Sequence, residues 1–459
     1  MSTLVASVPT GRATVTRQGR RALAHIPGDG GWPLIGNTVT VLADPKGYFE
    51  AGAAKYGRVV RVDFAGETTV HLLGPEANEL VLFDQQRLFS SRLGWGPFMD
   101  RIFPRGLMMM DFDEHRLHRR ALSVAFKAGP MKAYLAGLDA GIAARVAQWH
   151  ANPGPTVFYP AMKQLTLDLA ARSFLGADIG PETNSVKQAF VDMVAASVAP
   201  IRVPLPGTQM RRGVRGRQHL VAHFAPQVSI RRERGGDDLF SQLCQARTED
   251  GAFLTTDAVV DHMNFFMMAA HDTLTSSLTT FAWMLAANPD WQERLRAEIA
   301  GLGLRADEPL PYERLDELKL TEMDFKEALR MVPAVPSIMR RALRDFAFAG
   351  HAIPAGTSVA ANPLFTHHMP ELWPEPDRFD PTRFADAVQS SRHRWAFVPF
   401  GGGAHMCLGL HFAYMQAKCF ARHLLQNLVV RPEPGYVASW KMWPIPQPRQ
   451  GLRLTMARL

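Results

Sequence analysis

Cysteine is scarce in this sequence, where only Cys244, Cys407 and Cys419 occur among 459 residues. Three scattered cysteines cannot form a disulfide framework, and the lack of a C-x-x-C pair gives no sign of zinc or dithiol redox chemistry. Long apolar runs are absent too. None reaches the roughly 18 residues of a membrane-spanning helix, so we expect no transmembrane anchor and no secretory segment. These absences favour a reducing compartment, and we expect the protein in the cytoplasm.

Acidic residues are less abundant than basic ones, with 43 Asp and Glu against 51 Lys and Arg, so the formal net charge is +8. Such an excess is compatible with acidic protein partners, nucleic acid or an anionic membrane surface, and equally with an ordinary solvated surface. The hydrophobic content of 47% is sufficient for a sizeable core. The sequence therefore predicts a globular protein.

The first 28 positions contain no acidic residue, and Arg12, Arg17, Arg20 and Arg21 stand there among small and hydroxylated residues. This composition is compatible with a cleaved targeting segment and with a flexible basic tail. A Pro/Gly cluster over 26–37 cannot continue regular structure. We therefore predict a flexible tail over residues 1–25 and one folded domain over residues 26–459.

Helical periodicity dominates the rest of the chain, whereas strand signals are few. Two small hairpins are predicted, over 56–75 and 345–354. The longest helix should start after Thr255 or Thr256 and stop before Pro289, which gives it a length of about 48 Å. Three prolines and four arginines over 199–216 predict a mobile connection. The fold class is thus mainly α with small β-sheets.

One cysteine has unusual neighbours, because Cys407 follows Gly401, Gly402 and Gly403 and precedes a helical pattern. A thiolate is stabilised near the start of a helix, and glycines allow a tight turn and the close approach of a flat ligand. The alternative is a buried free cysteine beside a glycine turn, and Cys419, as a small apolar residue inside the helix, fits a buried free cysteine well. The wider spacing F-x-x-G-x-x-x-C-x-G is formed by Phe400, Gly403, Cys407 and Gly409.

This spacing resembles the signature of the cytochrome P-450 family of haem-thiolate monooxygenases. The resemblance implies haem b with Cys407 as the axial thiolate ligand of iron, and Phe400 packed near the sulfur. It places Gly401, Gly403 and Gly409 in the cofactor-binding loop. A thiolate ligand pushes electron density toward iron and favours O–O cleavage. The implied fold is a single mainly helical domain, with haem between the long central helix and the cysteine-bearing helix.

Further segments match the family in the expected order. Glu327 and Arg330 in "FKEALRMVP" and Arg383 in "PTRF" resemble its E-x-x-R and P-x-R-F elements. The resemblance implies that these three side chains form a buried charge network with a structural role. From spacing alone, Glu327 and Arg330 could equally be an ordinary surface pair, because residues three apart share one face of a helix.

The two haem propionates need cationic or hydrogen-bonding partners. His115 and Arg119 share one helical face, and His115 with His118 could also be read as a metal pair. The register between Arg340 and Arg341 stays open at this stage. The resemblance implies four propionate partners, namely His115, Arg119, Arg340 and His405.

A polar pair, Asp272 and Thr273, interrupts the apolar centre of the long helix. The pair could face solvent, or Thr273 could bond back to a backbone carbonyl and bend the helix. The resemblance implies instead that Thr273 takes part in oxygen activation and that Asp272 delivers protons. Ala270 stands where many members of the family have glycine.

Three apolar segments could line a substrate pocket by analogy with the family, although apolar stripes are as often core as pocket. The candidates are Phe98, Phe103, Met108, Phe265, Ala269, Val335 and Ile338. They favour a sizeable apolar substrate such as a terpenoid, a sterol-like compound or a fatty acid.

The implied reaction inserts one oxygen atom of O2 into this substrate. Electrons should come from a ferredoxin and an NAD(P)H-dependent ferredoxin reductase, because no flavin or iron–sulfur motif is fused to the chain. We expect a monomer without a nucleic-acid partner. The alternatives are a peroxide-dependent peroxygenase or an isomerase, and a non-catalytic sensor or carrier of haem or lipophiles.

Overall fold

Helices account for most of the structure, a computed structural model that describes residues 15–33, 35–176, 181–197, 199 and 201–459. The mainly helical architecture agrees with the sequence-based prediction. None of the helices in this described part of the chain is both long and apolar enough to cross a membrane. In chain order the helices are α1 Thr38–Ala43, α2 Pro45–Tyr56, α3 Pro75–Asn78, α4 Ser91–Met99, α5 Phe112–Ser123, α6 Ala128–Ala151, α7 Phe158–Leu175, α8 Pro181–Ser197, α9 Gln209–Phe224, α10 Gln227–Arg234, α11 Leu239–Gln245, α12 Thr256–Ala287, α13 Pro289–Gly301, α14 Lys319–Met331, α15 Pro363–Thr366, α16 Asp386–Gln389 and α17 Leu410–Asn427.

The strands are short and form small sheets at the periphery of the helical core. They are β1 Val59–Phe64, β2 Glu67–Leu72, β3 Phe89–Ser90, β4 Gly154–Val157, β5 Ile338–Ala342, β6 Phe346–Phe348, β7 His351–Ile353, β8 Ser358–Ala361, β9 Leu428–Pro432, β10 Trp440–Lys441, β11 Gln447–Pro448 and β12 Arg453–Arg458. The largest sheet has the order β1-β2-β8-β5-β3, and a second has the order β4-β12-β9. In the largest sheet only β2 and β8 run parallel. The hairpins predicted from sequence are β1–β2 and β6–β7.

Helix α12 crosses the centre of the molecule and organises the main core. Its N-terminus is capped by Thr255, whose side chain accepts a hydrogen bond from the backbone N–H of Ala258. The helix spans 32 residues, as the sequence predicted, and most of its side chains are buried. It packs against α7, α14 and β9, among others. Because α12 is buried around nearly its whole circumference, a polar side chain within it indicates a candidate functional position.

The connection predicted over 199–216 is only half irregular, because α9 already begins at Gln209. Gly213 and Gly216 lie on the buried side of this helix. A β-carbon at Gly216 would lie 2.4 Å from the carbonyl oxygen of Ala189 on α8, and one at Gly213 would lie 2.1 Å from the β-carbon of Ala196. The prediction was therefore wrong for 209–216, because these glycines allow α8 and α9 to pack closely rather than breaking the helix.

The predicted start of the folded body at Ile26 needs a correction as well. Leu23 is fully buried in the cluster beneath the largest sheet. Arg17 forms an ion pair with Glu67 on β2, and Arg20 forms one with Asp63 on β1. Burial of Leu23 and these two contacts tie residues 17–25 to the sheet. Residues 1–14 of the predicted tail lie outside the described residues.

Candidate active site

The loop before α17 is shaped by glycines and by one backbone hydrogen bond. The N–H of Cys407 donates to the carbonyl of Phe400 at 2.9 Å, which closes the loop. Gly401 and Gly403 have positive φ angles of 71° and 60°. A β-carbon at Gly403 would lie 2.2 Å from the carbonyl oxygen of Leu82, so no larger residue fits there.

The sulfur of Cys407 lies just before α17 rather than in its first turn, because the helix begins at Leu410 with Gly409 as its N-cap. The side chain is exposed. Desolvation nevertheless raises the pKa of the thiol, against the opposing effects of a hydrogen bond from the Gly409 backbone and the charge of Arg119. The sulfur is therefore accessible although protein atoms surround it closely. Phe400 packs against Tyr414, with ring centroids 5.5 Å apart and the ring planes tilted by 54°.

Four basic side chains from three parts of the chain meet beside this loop. The rings of His115 on α5 and His405 in the loop lie 3.9 Å apart. Burial, and then the charges of Arg119 and Arg340, lowers the pKa of His115 to about 4. Burial also lowers the pKa of His405 well below its ordinary value, and Arg340, His115 and Arg119 add to this effect. The structure thus brings together all four residues that the sequence suggested as propionate partners.

Strand β5 resolves the register between its two adjacent arginines. Arg341 forms a buried ion pair with Glu67 at 2.9 Å, so its charge is satisfied within the sheet. Arg340 is 5% exposed and donates from Nη1 only to the carbonyl of Met339. Desolvation lowers its pKa to about 10. Alternation along the strand directs Arg340 and Arg341 to opposite faces of the sheet.

This cluster has more positive charge than its surroundings neutralise. Neither Arg119 nor Arg340 is in ion-pair contact with a carboxylate anywhere in the described part of the chain, and the buried Nε2 of His115 has no hydrogen-bond partner. A buried cation without a counter-ion is unfavourable. The donor set therefore fits a dianionic group such as the two propionates of haem, beside a cysteine sulfur.

His118 takes part in a different contact from His115. Its Nδ1 lies 2.9 Å from Nε2 of His262 on α12, and both rings are buried. Desolvation lowers the pKa of His262 to about 3. The two histidines of α5 therefore face different partners, and the structure does not bring His115 and His118 together as a metal pair.

The charges that sequence placed near α14 meet in the protein interior. Arg330 donates to both carboxylate oxygens of Glu327, at 2.7 and 2.8 Å, and both side chains are fully buried. Arg383 lies 3.4 Å from the same carboxylate. Arg330 also donates to the carbonyl of His367, and the backbone N–H of Asp380 donates to Glu327. This network connects α14 to the irregular segments that precede the cysteine loop.

The polar residues of α12 lie where the helix is less buried than elsewhere. Ala269, Ala270, Asp272 and Thr273 are only partly buried, whereas most of the helix on either side is fully buried. The hydroxyl of Thr273 donates to the carbonyl of Ala269 at 2.5 Å, which is the back-bonding that sequence left as an alternative. This face of the helix is therefore less completely covered by protein than the rest of α12.

Asp272 is linked to a second helix by contacts that the sequence did not indicate. Its Oδ1 lies 3.8 Å from Nζ of Lys163 on α7 and 3.6 Å from Nε2 of His271. Nδ1 of His271 is 3.1 Å from the hydroxyl of Thr166, which also contacts Thr275 at 2.6 Å. In the sequence, the feature that could have indicated these contacts is the recurrence of polar residues one turn apart in an otherwise apolar helix.

A small apolar cavity of about 40 Å³ lies between the largest sheet and the segment that joins β10 to β11, and neither Cys407 nor any residue of α12 is among its lining residues. Of the pocket residues suggested by sequence, Phe98 lines it. Phe103 and Phe265 pack against each other in the core, with ring centroids 6.3 Å apart. Met108 and Ala269 are partly buried against the main core, and Ile338 against the smaller cluster under the sheet. Val335 is partly exposed. Sequence missed Phe49, Met339, Met442 and Trp443, which also line the cavity.

Cys419 lies in a different environment from Cys407. It is fully buried inside α17, and its Sγ donates to Oδ1 of Asp139 at 3.2 Å. His423 contacts the same oxygen at 2.8 Å, and Arg422 lies 3.5 Å from it. Asp139, Cys419 and His423 could in principle hold a metal ion. The adjacent guanidinium of Arg422 already neutralises the carboxylate, so a buried hydrogen-bond network accounts for this cluster.

Comparisons with known proteins point to one family. A sequence model of the family described as Cytochrome P450 matches residues 26–442. Cytochrome P450 136 of Mycobacterium tuberculosis is 37% identical over 440 residues, covering 95% of this chain and 89% of that protein. Abscisic acid 8'-hydroxylase 2 of Oryza sativa subsp. indica is 30% identical over 449 residues, covering 95% and 87%. The solved structure of retinoic acid-bound cyanobacterial CYP120A1 matches with a TM-score of 0.84 at 27% identity, covering 97% of this chain and 100% of that one.

Proposed function

The chain belongs to the cytochrome P450 family and is a haem-dependent monooxygenase, and on this premise we propose that Cys407 supplies the thiolate and that the substrate is a sizeable apolar molecule of the isoprenoid type. The observation that supports the haem site most strongly is the convergence of His115, His405, Arg119 and Arg340 beside the sulfur of Cys407. A dianionic cofactor would neutralise the two arginines and accept hydrogen bonds from the two neutral histidines. Haem, when bound to a thiolate, supplies the activation of dioxygen.

Cys407 is preferred over Cys419 as the ligand because of what surrounds each sulfur. Cys407 is exposed and receives a hydrogen bond from the Gly409 backbone, which stabilises a thiolate. Cys419 is fully buried, and both burial and the adjacent Asp139 raise the pKa of its thiol well above the ordinary value. A neutral thiol that donates to a carboxylate is a poor metal ligand.

Proton delivery is assigned to Asp272 and Thr273. Lys163 is 42% exposed, so the contact of its Nζ with Asp272 connects the carboxylate to solvent. Thr273 lies on the partly buried face of α12, where its hydroxyl is held by the carbonyl of Ala269. In this proposal Asp272 takes up a proton on the Lys163 side and passes it toward the hydroxyl of Thr273.

The apolar substrate class is supported by the names of relatives. Relatives are named as hydroxylases of taxanes and of abscisic acid, and one structural neighbour is described as bound to retinoic acid. These compounds share an isoprenoid carbon skeleton. We therefore extend the isoprenoid class to this protein.

The electron donor is proposed to be an acidic ferredoxin with its NAD(P)H-dependent reductase, working in the cytoplasm. Helix α5 carries His115 and Arg119 on the side of the cofactor site, whereas Arg116 and Arg120 lie 70% and 64% exposed. Complementary charge increases the association rate of such a partner. The predicted signature is a rate of haem reduction that falls steeply with ionic strength.

Replacing Cys407 tests the haem assignment. Cys407→Ala should abolish the strongly red-shifted absorption band of the ferrous carbon monoxide complex, because that band requires a thiolate ligand. Cys419→Ser is the matched control and should retain the band. The proposal fails if Cys407→Ala keeps the band, or if Cys419→Ser alone loses it while the protein remains folded by circular dichroism.

The substrate class is tested by titration of the purified haem protein. Isoprenoids should shift the ferric spin state and support product formation with ferredoxin, its reductase and NAD(P)H. Fatty acids and simple aromatics serve as comparison panels. Binding and turnover of fatty acids without any response to isoprenoids would refute the isoprenoid assignment and leave the monooxygenase activity intact.

A further inference from the structure

His271 is a buried polar residue of α12 to which the proposed function gives no role. It directly precedes Asp272, is 2% exposed and packs edge-on against the ring of Phe190 on α8, with ring centroids 5.7 Å apart. Burial lowers the pKa of His271 to about 4, an effect that the charge of Asp272 opposes and that of Lys163 reinforces. The imidazole is therefore neutral at physiological pH, so one ring nitrogen donates and the other accepts.

Nε2 of His271 faces the carboxylate of Asp272. It lies 3.6 Å from Oδ1, and both atoms are buried without a hydrogen-bond partner. Nζ of Lys163 approaches the same oxygen at 3.8 Å. A lone pair on Nε2 would be repelled by the carboxylate oxygen, whereas an N–H at this position is attracted to it. The proton of the ring therefore lies on Nε2.

The other ring nitrogen then needs a donor, and the nearest one is the hydroxyl of Thr166 on α7. This hydroxyl lies 3.1 Å from Nδ1 of His271. The carbonyls of Met162 and Lys163 are 3.1 and 3.2 Å from it, but both already accept N–H bonds within the helix. The proton of Thr166 thus satisfies Nδ1, whose lone pair would otherwise be buried without a partner.

Thr275, one turn after His271, extends these contacts by a further donor. Its hydroxyl is 2.6 Å from that of Thr166 and 2.8 Å from the carbonyl of His271. The donors can then all point in one direction, from Thr275 to Thr166, to His271 and toward Asp272. We call these first three residues the donor chain. Hydrogen bonds aligned in this way polarise one another, which strengthens the pull of Nε2–H on the carboxylate.

A purely structural role for these residues leaves the imidazole unexplained. Thr166 and Thr275 already join α7 to α12 through their own contact. His271 adds a second nitrogen that points out of this contact and ends at Asp272. The gap of 3.6 Å is longer than a hydrogen bond, so the carboxylate is attracted without being fixed. It can therefore still turn toward Thr273.

We propose that His271 is a positioning residue for proton delivery. Its Nε2–H, oriented by Thr166 and Thr275, attracts the carboxylate of Asp272 and holds it ready for transfer to the hydroxyl of Thr273. His271 keeps its own proton throughout, so no bond to it forms or breaks. The donor chain stands independently of the reaction, whereas its effect on catalysis rests on the proton delivery that the proposed function assigns to Asp272 and Thr273.

The first test determines the tautomer and needs no turnover. The haem protein is labelled with ¹⁵N in its histidines, reduced and saturated with carbon monoxide, which makes the haem diamagnetic, and the ring nitrogens are observed by NMR. The signals that disappear in His271→Gln belong to His271. We expect a neutral ring at neutral pH, with the proton on Nε2. A proton on Nδ1, or on both nitrogens, would overturn the proposal.

The second test compares variants by the amount of product formed per NAD(P)H consumed. His271→Phe removes both ring nitrogens but keeps a planar ring against Phe190. It should retain the thiolate carbon monoxide band and lower the coupling by roughly threefold or more, because a displaced proton donor slows the transfer. The solvent isotope effect on product formation should rise as well. His271→Gln keeps an N–H for Asp272 and should restore part of the coupling.

Thr166 offers a second variant that leaves the imidazole in place. Thr166→Val removes the hydroxyl that orients the ring without changing the volume, and it should lower the coupling like His271→Phe. It replaces His271→Phe if that variant loses the carbon monoxide band. The matched control is Thr279→Val. Thr279 is a fully buried threonine about two turns further along α12, and its hydroxyl has no hydrogen-bond partner in the described part of the chain, so this variant should couple like the wild type.

Two results of the second test would also overturn the proposal. One is wild-type coupling in His271→Phe and Thr166→Val while Thr273→Ala is impaired. The other is an equal loss in His271→Phe and His271→Gln, which would reduce His271 to a packing residue. If Thr273→Ala itself couples like the wild type, the proposed proton delivery fails, and the tautomer measured by NMR then decides the donor chain alone.

Discussion

At the scale of single residues, the strand β5 gives two adjacent arginines different partners. Arg341 is neutralised by Glu67, whereas Arg340 lies buried beside His115 and His405 with no carboxylate in contact. The cost of burying Arg340 is offset when an anion binds there. This side chain should therefore contribute to cofactor retention more than to the stability of the sheet.

Arg340→Gln should speed the loss of haem to an excess of apomyoglobin by roughly tenfold or more, since a hydrogen bond to a charged group is removed. Arg340→Lys should restore part of the retention because it keeps the charge. A loss rate for Arg340→Gln equal to that of the wild type would exclude a direct role in holding the propionates.

Thr273→Ala should leave the thiolate carbon monoxide band intact but lower the amount of product formed per NAD(P)H consumed, with more peroxide released. The physical reason is the loss of the hydroxyl that would pass a proton from Asp272. Thr273→Ser keeps a hydroxyl and should stay close to the wild type. Equal coupling in Thr273→Ala and Thr273→Ser would contradict the proton-relay role.

Some of these residues could be found from sequence and others could not. Cys407 stands in a local pattern with Phe400, Gly403 and Gly409, so spacing alone singles it out. Lys163 lies more than a hundred positions before Asp272, and its contact with that carboxylate depends on how α7 packs against α12. A single sequence contains no signal for such a pairing.

At the scale of elements, the crossing of α8 and α9 shows that a glycine can either interrupt a helix or allow two helices to pack closely. In the sequence, Gly213 and Gly216 follow three prolines in a stretch that predicts an irregular connection. In the structure they lie in α9 and let its backbone approach α8. The long helix α12 was placed correctly because its signals are local, with a capping threonine at Thr255 and a proline at Pro289.

Gly216→Ala should lower the free energy of unfolding by roughly 1–3 kcal/mol, although alanine is the better helix former, because the new β-carbon would overlap the carbonyl of Ala189. Gly137→Ala is the matched control in α6, where no atom lies within 4 Å of the new β-carbon. It should raise stability by about 0.5–1 kcal/mol. Thermal unfolding of both variants decides the matter, and a stabilising Gly216→Ala would refute the close crossing.

At the scale of the whole molecule, buried neutral histidines make the protein sensitive to acid. Burial lowers the pKa of five of them to about 3 or 4, namely His71, His115, His262, His271 and His368. An unfolded chain protonates its histidines below about pH 6.5, while the folded chain does not. The unfolded state therefore binds more protons, and stability falls as the pH drops from about 6.5 toward 4.

His71→Phe should reduce the pH dependence of the free energy of unfolding, because His71 is buried against the ring of Phe49 and its Nδ1 has no hydrogen-bond partner. At pH 5 the wild-type histidine costs about 2 kcal/mol relative to pH 8. The difference in thermal midpoint between the variant and the wild type should therefore be about 2 °C more in favour of the variant at pH 5 than at pH 8. The exposed His219→Phe is the control, and an identical pH dependence of His71→Phe and wild type would contradict the prediction.

The order of the largest sheet has a consequence for biosynthesis. The hairpin β1–β2 acquires its next neighbour, β8, only after about 290 further residues have been made. At typical elongation rates of roughly 5–20 residues per second, that interval lasts on the order of 15–60 s. During it Val70 and Leu72, which are fully buried in the finished protein, lie on a strand with an unpaired edge. The yield of protein in a cell should therefore depend on chaperones that cover a half-built sheet while the ribosome completes the chain.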